Sequence, residues 1–298
     1  MKVGLALGSG ASRGWAHIGI LNALSRYGVE PDIVCGASIG ALVGAAYVSG
    51  NLEKLESWVR SLTKFETARF YEIHPSLNGF VNTRRLHRFL NRYVVNTDLK
   101  IEDFTQQYAA VATDLEAGRE VWLTRGSIFN AAWSSMALPG MFPAVRNNDH
   151  WLIDGGLVNP VPVSICRALG AEVVIAVNLN DDLMRKNKHK SKHLTRQKTG
   201  VIHKITDIVG EYVPSIFTEK SGEQPPGLFE TIADAINITQ NRVTRSRMAG
   251  DPPDIVLSPK ISRIRPLEFY RAKEAIEEGN KCVQQKLADI RYVLGLSE

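Results

Sequence analysis

The stretch Ile33–Gly50, IVCGASIGALVGAAYVSG, decides how the chain is read. A β-branched apolar run ends at Gly36, Ser38 follows, and after Gly40 the sequence turns to small and aliphatic residues at helical spacing. This predicts a buried strand over Asp32–Cys35, a sharp turn carrying Ser38, and a buried helix from Ile39. GASIG fits the pattern G-x-S-x-G, in which a serine hydroxyl is held exposed on a strand-to-helix turn. Gly36 and Gly40 admit the tight packing such a turn needs, and the helix start offers unpaired N–H groups and positive dipole to an oxyanion. Taken alone, the pattern also fits a serine that merely caps the helix.

A second glycine-rich turn precedes it. Val3–Leu7 reads as the first strand, GSGASRG (Gly8–Gly14) as its turn, and Trp15–Tyr27 as a helix with Ile18, Leu21 and Leu24 on one face and Gly28 just past its end. The loop suits either a dinucleotide phosphate or an oxyanion. A dinucleotide site wants an acidic residue at the far end of the second strand. Asp32 lies at the near end, so acyl chemistry is favoured.

Further on, alternation of strand and helix continues. Amphipathic helices are expected from Asn51 and from Thr83. Tyr108–Thr113 and Glu120–Thr124 read as a β pair joined by the hairpin connector DLEAGR, and Ser127–Met136 as a helix stopped near Pro139-Gly140. HWLID (His150–Asp154) is a strand opening onto Gly155-Gly156, VPVSICRALG a short helix, and EVVIAVNL a fully apolar strand of the kind buried in a parallel sheet. Leu228–Met248, DIVLSP and Pro266–Leu294 read as helix, strand and helix. The expectation is one α/β domain over 1–298, with a mostly parallel sheet, a motif-bearing core over 1–180, a basic insertion over 181–226 and a C-terminal helix-strand-helix over 227–298. Ser38 and Asp154 are both expected to project from carboxyl ends of strands, where open α/β sheets bind ligands.

The chain of 298 residues has 44% hydrophobic and 22% charged residues, an ordinary globular balance. No apolar run reaches the ~18 residues of a membrane span, and the N-terminus lacks the apolar core of a signal peptide. Cys35, Cys166 and Cys282 show no metal or disulfide spacing, so no metal is expected and a reducing cytoplasm is. Net charge is +5, yet Arg185–Lys198 alone holds seven Lys/Arg and no acid, leaving the remainder at −2 (5 − 7). The body is therefore no nucleic-acid surface. The tract is a candidate contact with anionic lipid, and the helical spacing of Ile202, Ile205, Ile208, Val209, Tyr212 and Val213 a candidate lid or interfacial helix. Of seven histidines, none follows Asp154 outside the basic excursion; His17 and His150 read as satisfied or surface residues.

Four motifs in order, GLALGSGASRGWAHIGIL, GASIGALVGA, WSSMALPGMFP and LIDGGLVNPVPV, together with SRMAGDPPDIVLSP near the end, resemble the patatin-like phospholipase family in its bacterial branch similar to neuropathy target esterase. The resemblance implies a three-layer α/β/α fold and a serine–aspartate dyad hydrolase of lipid acyl esters, with no cofactor, metal or histidine. It implies Ser38 as nucleophile, Asp154 of the DGG motif (with Gly155 and Gly156) as base, and an oxyanion loop over Ser9, Gly10, Ala11, Arg13 and Gly14. Ser9 and Ala11 stand where the family usually has glycine. A non-catalytic acyl-lipid-binding or regulatory protein on the same fold is the alternative. Location is expected to be cytoplasmic, with peripheral contact at the inner membrane face; oligomeric state is open.

Overall fold

The computed structural model describes residues 1–69, 83–182 and 228–296. The expected insertion, its Arg185–Lys198 tract and the 202–213 helix lie outside the described residues, apart from Asp181 and Asp182.

β1 (Val3–Leu7) pairs in parallel with β2 (Ile33–Ala37) on one side and with β7 (Val173–Val177) on the other. All fifteen residues of these three strands are buried, which is why their sequences are continuous apolar runs rather than alternating ones. β3 (Gln107–Asp114) extends the parallel set beyond β2, and β8 (Ile255–Leu257) extends it beyond β7. Side chains alternate between two apolar layers. Leu5, Leu7, Val34, Ile175 and Val177 point to one, and Ala6, Ile33, Cys35, Ala37, Val174 and Ala176 to the other. Each fully buried Leu or Ile contributes about 1.5–3 kcal/mol.

The first layer packs against α1 (Ala16–Arg26), α2 (Ile39–Val48), α6 (Ile128–Ser135) and α9 (Ala272–Leu294). Between α2 and β3, helices α3 (Leu52–Ser61), α4 (Lys64–Ala68) and α5 (Thr83–Phe89), with a wider turn at Leu90–Val94, cover one end of this layer. The second layer carries α7 (Val163–Ala168) and, through Met248, α8 (Leu228–Gly250). The result is the three-layer α/β/α arrangement expected, with two shifts at helix starts. A 3₁₀ turn at Ala11–Trp15 precedes α1, and the last helix begins at Ala272 rather than Pro266, after a 3₁₀ turn at Phe269–Arg271.

The larger departure is in the sheet. β4 (Glu120–Leu123) pairs antiparallel with β3 as the expected hairpin, but β6 (His150–Asp154) also runs antiparallel to β3, and an unforeseen short strand, β5 (Val145–Asn147), returns against β6. Ala110 and Val111 pair with β4 on one edge and β2 on the other; Ala112 and Thr113 pair with β4 and β6. β2 and β6 therefore occupy the same edge of β3 in succession, approaching from opposite directions. Ala37 ends β2 opposite Val111, and Asp154 ends β6 opposite Ala112. Only Ser38 leaves the carboxyl end of a parallel strand; Asp154 arrives head-on from an antiparallel one. No described helix is long and apolar enough to cross a membrane.

Candidate active site

Ser38 sits between β2 and α2 with φ 55° and ψ −123°, a conformation side chains rarely adopt. Such a residue costs on the order of 1–3 kcal/mol and persists only where its surroundings hold it. Here they do. A Cβ at Gly40 would lie 2.1 Å from the Leu7 carbonyl oxygen, and one at Gly36 2.4 Å from Ala41 N, so both glycines let α2 start directly against β1 and β2. The Ser38 carbonyl accepts the N–H groups of Ala41 and Leu42. Its own N–H donates to Ser135 Oγ at the end of α6, at 2.9 Å.

Held this way, the Ser38 hydroxyl donates to Asp154 Oδ2 at 2.5 Å. Asp154 is fully buried. Its Oδ1 accepts the Gly156 N–H at 2.7 Å, its N–H donates to the Ala137 carbonyl, and its carbonyl accepts the Thr113 hydroxyl. Gly155 permits the turn, since a Cβ there would sit 2.1 Å from the Val111 carbonyl oxygen. Burial pushes the Asp154 carboxyl up from 3.8 to about 6, against the pull of the Ser38 hydroxyl and the Gly156 N–H.

The loop after β1 lies beside this pair. Gly8 N–H donates to the Val177 carbonyl, Ser9 N–H to Pro160, Ser12 N–H to Pro266 and Arg13 N–H to Gly10. Among the described residues, the N–H groups of Gly10 and Ala11 have no such partner. The Ser9 hydroxyl is also engaged, with the Pro160 carbonyl. The buried Arg13 guanidinium, drawn down to about 10 by burial and opposed by Asp234, donates from Nε to the Gly10 carbonyl at 3.2 Å and from Nη2 to Asn237 Oδ1 on α8 at 2.8 Å. In a trans peptide the carbonyl and the next N–H point opposite ways. Holding the Gly10 carbonyl toward Arg13 thus turns the Ala11 N–H away from it. Ala11 itself takes φ 51°, the left-handed region. Gly14 brings the loop against α2, with no room for a Cβ beside the Ile39 side chain.

Two cavities meet at Ser38. One is lined mainly by apolar side chains, among them Leu42, Trp58, Leu62, Leu86, Phe89 and Phe142. The other brings Ser9, Gly10, Ala11 and Asp154 together with Asn237 and Gln240 of α8. Neither candidate histidine joins the pair. His17 is buried, its Nε2 on the Gly8 carbonyl at 2.7 Å, and burial lowers it to about 4, which keeps it neutral. His150 is exposed beside Asp114. Cys35 is buried within the second layer, its thiol raised by that burial and by Cys166. Ser135, Asn237 and Gln240 were not foreseen; the only trace of the first is the double serine of WSSMALPG.

The match to the sequence model of the patatin-like phospholipase family runs over residues 5–167. An NTE family protein of Mycobacterium tuberculosis is 28% identical over 330 aligned positions, covering 96% of this chain and 91% of that protein. Human patatin-like phospholipase domain-containing protein 6 is 34% identical over 187 positions, covering 59% of this chain and 13% of the human protein. The neuropathy target esterase sws of Drosophila melanogaster is likewise 34% identical, over 60% of this chain and 13% of its own length. With more than half of its residues inside the family match, Ser38, Asp154 and the Gly8–Gly14 loop among them, this chain belongs to the patatin-like phospholipase family.

Proposed function

We propose that the protein is a serine acyl hydrolase of lipid esters, of the phospholipase, lysophospholipase or carboxylesterase type, working as one catalytic domain through a Ser38–Asp154 dyad. The observation that carries this is the 2.5 Å contact from Ser38 Oγ to Asp154 Oδ2 at the junction of an apolar cavity and a loop with two free N–H groups.

In the reaction, Ser38 Oγ attacks the ester carbonyl as Asp154 takes its proton. The tetrahedral oxyanion is held by Gly10 and Ala11 N–H, donors already oriented before charge develops. Collapse breaks the ester C–O bond, and the departing alcohol takes the proton from Asp154. Water then attacks the acyl-enzyme, with Asp154 again as base, and releases the acid and Ser38. A carboxyl near 6 is a stronger base than an ordinary aspartate and is largely ionised at neutral pH. The acyl chain occupies the apolar cavity. The setting is the cytoplasm, with peripheral contact at the inner membrane face through Arg185–Lys198.

A fluorophosphonate probe tests the reading. Ser38 is expected to be labelled in the wild type and not in Ser38→Ala or Asp154→Asn. Absence of labelling in correctly folded wild type, with acyl lipid still bound, would replace the hydrolase with a non-catalytic lipid-binding protein.

A further inference from the structure

We infer that the outer face of α5, together with α4 and Trp133, is a docking surface for a bilayer carrying anionic phospholipids. The inference builds on the lipid-ester reading, because the surface backs directly onto the apolar cavity beside Ser38.

The segment Thr83–Val94 holds four arginines and a histidine and no Asp or Glu. The helix sorts them by face. Leu86 and Phe89 point inward and line the apolar cavity. Arg84, His87, Arg88 and Arg92 point outward and are exposed. Among the described residues, Arg84, Arg88 and Arg92 make no ion pair, so their charge faces solvent. Arg84 and Arg88, one turn apart, line a surface cleft with His87 and Trp133. The His87 ring lies 4.5 Å from Phe129 and 6.3 Å from Trp133, which fixes the floor of that cleft on α6, the helix whose last residue holds the Ser38 N–H.

Aromatic residues extend the patch. Phe65 on α4 is 70% exposed, with the Arg69 guanidinium over its ring at 5.8 Å. Arg85 ties α5 to the end of α4 by donating to the Arg69 carbonyl at 2.9 Å. The opposite face of α4, through Thr67, reaches the same apolar cavity as Leu86 and Phe89. Outside the apolar cavity the chain therefore presents guanidinium groups without ion pairs, an exposed phenylalanine and a half-buried tryptophan on helices linked by the Arg85–Arg69 hydrogen bond. Arginine gains about 1 kcal/mol near an anionic bilayer, and amphipathic aromatic rings settle at its boundary. A bare polyanion such as nucleic acid would use the guanidinium groups but has no use for the apolar cavity behind them. The bilayer uses both.

The experiment is vesicle co-sedimentation of the full chain, in the Ser38→Ala background, with equimolar phosphatidylcholine and phosphatidylglycerol or with phosphatidylcholine alone. Three chains are compared: unaltered, Arg84→Glu/Arg88→Glu, and one with the basic residues of 185–198 replaced by glutamine. The expected result is salt-sensitive binding to the anionic vesicles only, weakened about tenfold or more by the α5 pair even with the 185–198 tract intact. Phe65→Ser, which changes no charge, is expected to weaken it severalfold. On the catalytically intact chain, the α5 pair should leave turnover of a soluble short-chain ester unchanged and reduce turnover of vesicle-presented ester. Soluble-ester turnover reports the hydrolase reading separately from docking. The inference is overturned if only the 185–198 variant loses binding, or if a duplex oligonucleotide binds more tightly than the anionic vesicles.

Discussion

Gly156 donates its N–H to Asp154 Oδ1 at 2.7 Å, which leaves Oδ2 facing Ser38 alone. The carboxylate is thus held at one oxygen and free to accept a proton at the other. Because burial places its pKa at about 6, the ionised form needed for attack is depleted below that pH. kcat/KM for a soluble ester is expected to be level above about pH 7 and to fall about tenfold per pH unit well below 6. A profile flat through that region in the wild type would show that Asp154 is not the base.

The same burial has a thermodynamic consequence of opposite sign to a salt-bridged aspartate. Unfolded, the carboxyl titrates near 3.8; folded, near 6. Between those values the folded state holds a proton the unfolded state has released, so stability falls as pH rises through the window, by about 3 kcal/mol at most. Asp154→Asn keeps an acceptor for Gly156 and carries no charge. It is expected to be inactive yet more stable than wild type at pH 8, with the advantage vanishing below about pH 4. Denaturant unfolding at the two pH values measures this, and equal stability at pH 8 argues against the raised pKa.

Ser38 and Ala11 are both non-glycine residues at positive φ in the site. Ser38→Gly removes the strain along with the hydroxyl, whereas Ser38→Ala removes the hydroxyl only. The glycine variant is expected to be more stable than the alanine variant by about 1 kcal/mol, strain relief outweighing glycine's entropy in the unfolded chain. If the alanine variant proves the more stable, the backbone at Ser38 is not strained.

The strained turn was readable because its signal is local. Gly36, Ser38 and Gly40 lie within five residues, and the apolar runs on either side identify strand and buried helix. The resemblance named Asp154 as the partner of Ser38, but the residues alone showed only a strand end before two glycines. Its partnership with Ser38 depends on β6 entering the β3 edge that β2 vacates at Val111, and strand direction leaves no mark in the sequence of a five-residue strand. The same holds for Asn237, which holds the Gly8–Gly14 loop through Arg13 from 224 residues away. The apolar cavity was hidden for a different reason. Leu86 and Phe89 follow the same helical period whether they face a packed core or a cavity, so periodicity does not separate the two.

Ser135 connects α6 to the strained turn at Ser38 by accepting the Ser38 N–H at 2.9 Å. Ser135→Ala leaves that part-buried donor without its partner and is expected to cost about 1 kcal/mol. The turn then loses one of the contacts that hold Ser38 in its strained conformation. kcat is therefore expected to fall by about tenfold or more with KM little changed, since no acyl-binding contact is lost. An unchanged kcat in a chain destabilised as stated would restrict Ser135 to a structural role.

On the proposed function, an acyl chain in the apolar cavity makes turnover depend on chain length. Each buried methylene contributes about 0.8 kcal/mol, so kcat/KM on a homologous ester series is expected to rise about fourfold per carbon until the cavity is filled. Leu86 lines that cavity from α5 and is 7% exposed. Leu86→Trp adds volume on the cavity side while leaving Ser38, Asp154 and the Gly10–Ala11 peptide in place. The variant should keep its rate on the shortest esters and reach its plateau several carbons earlier than wild type. If both proteins plateau at the same length, the acyl chain runs elsewhere, and the second cavity, bounded by Ile232 and Ile236 of α8, becomes its path.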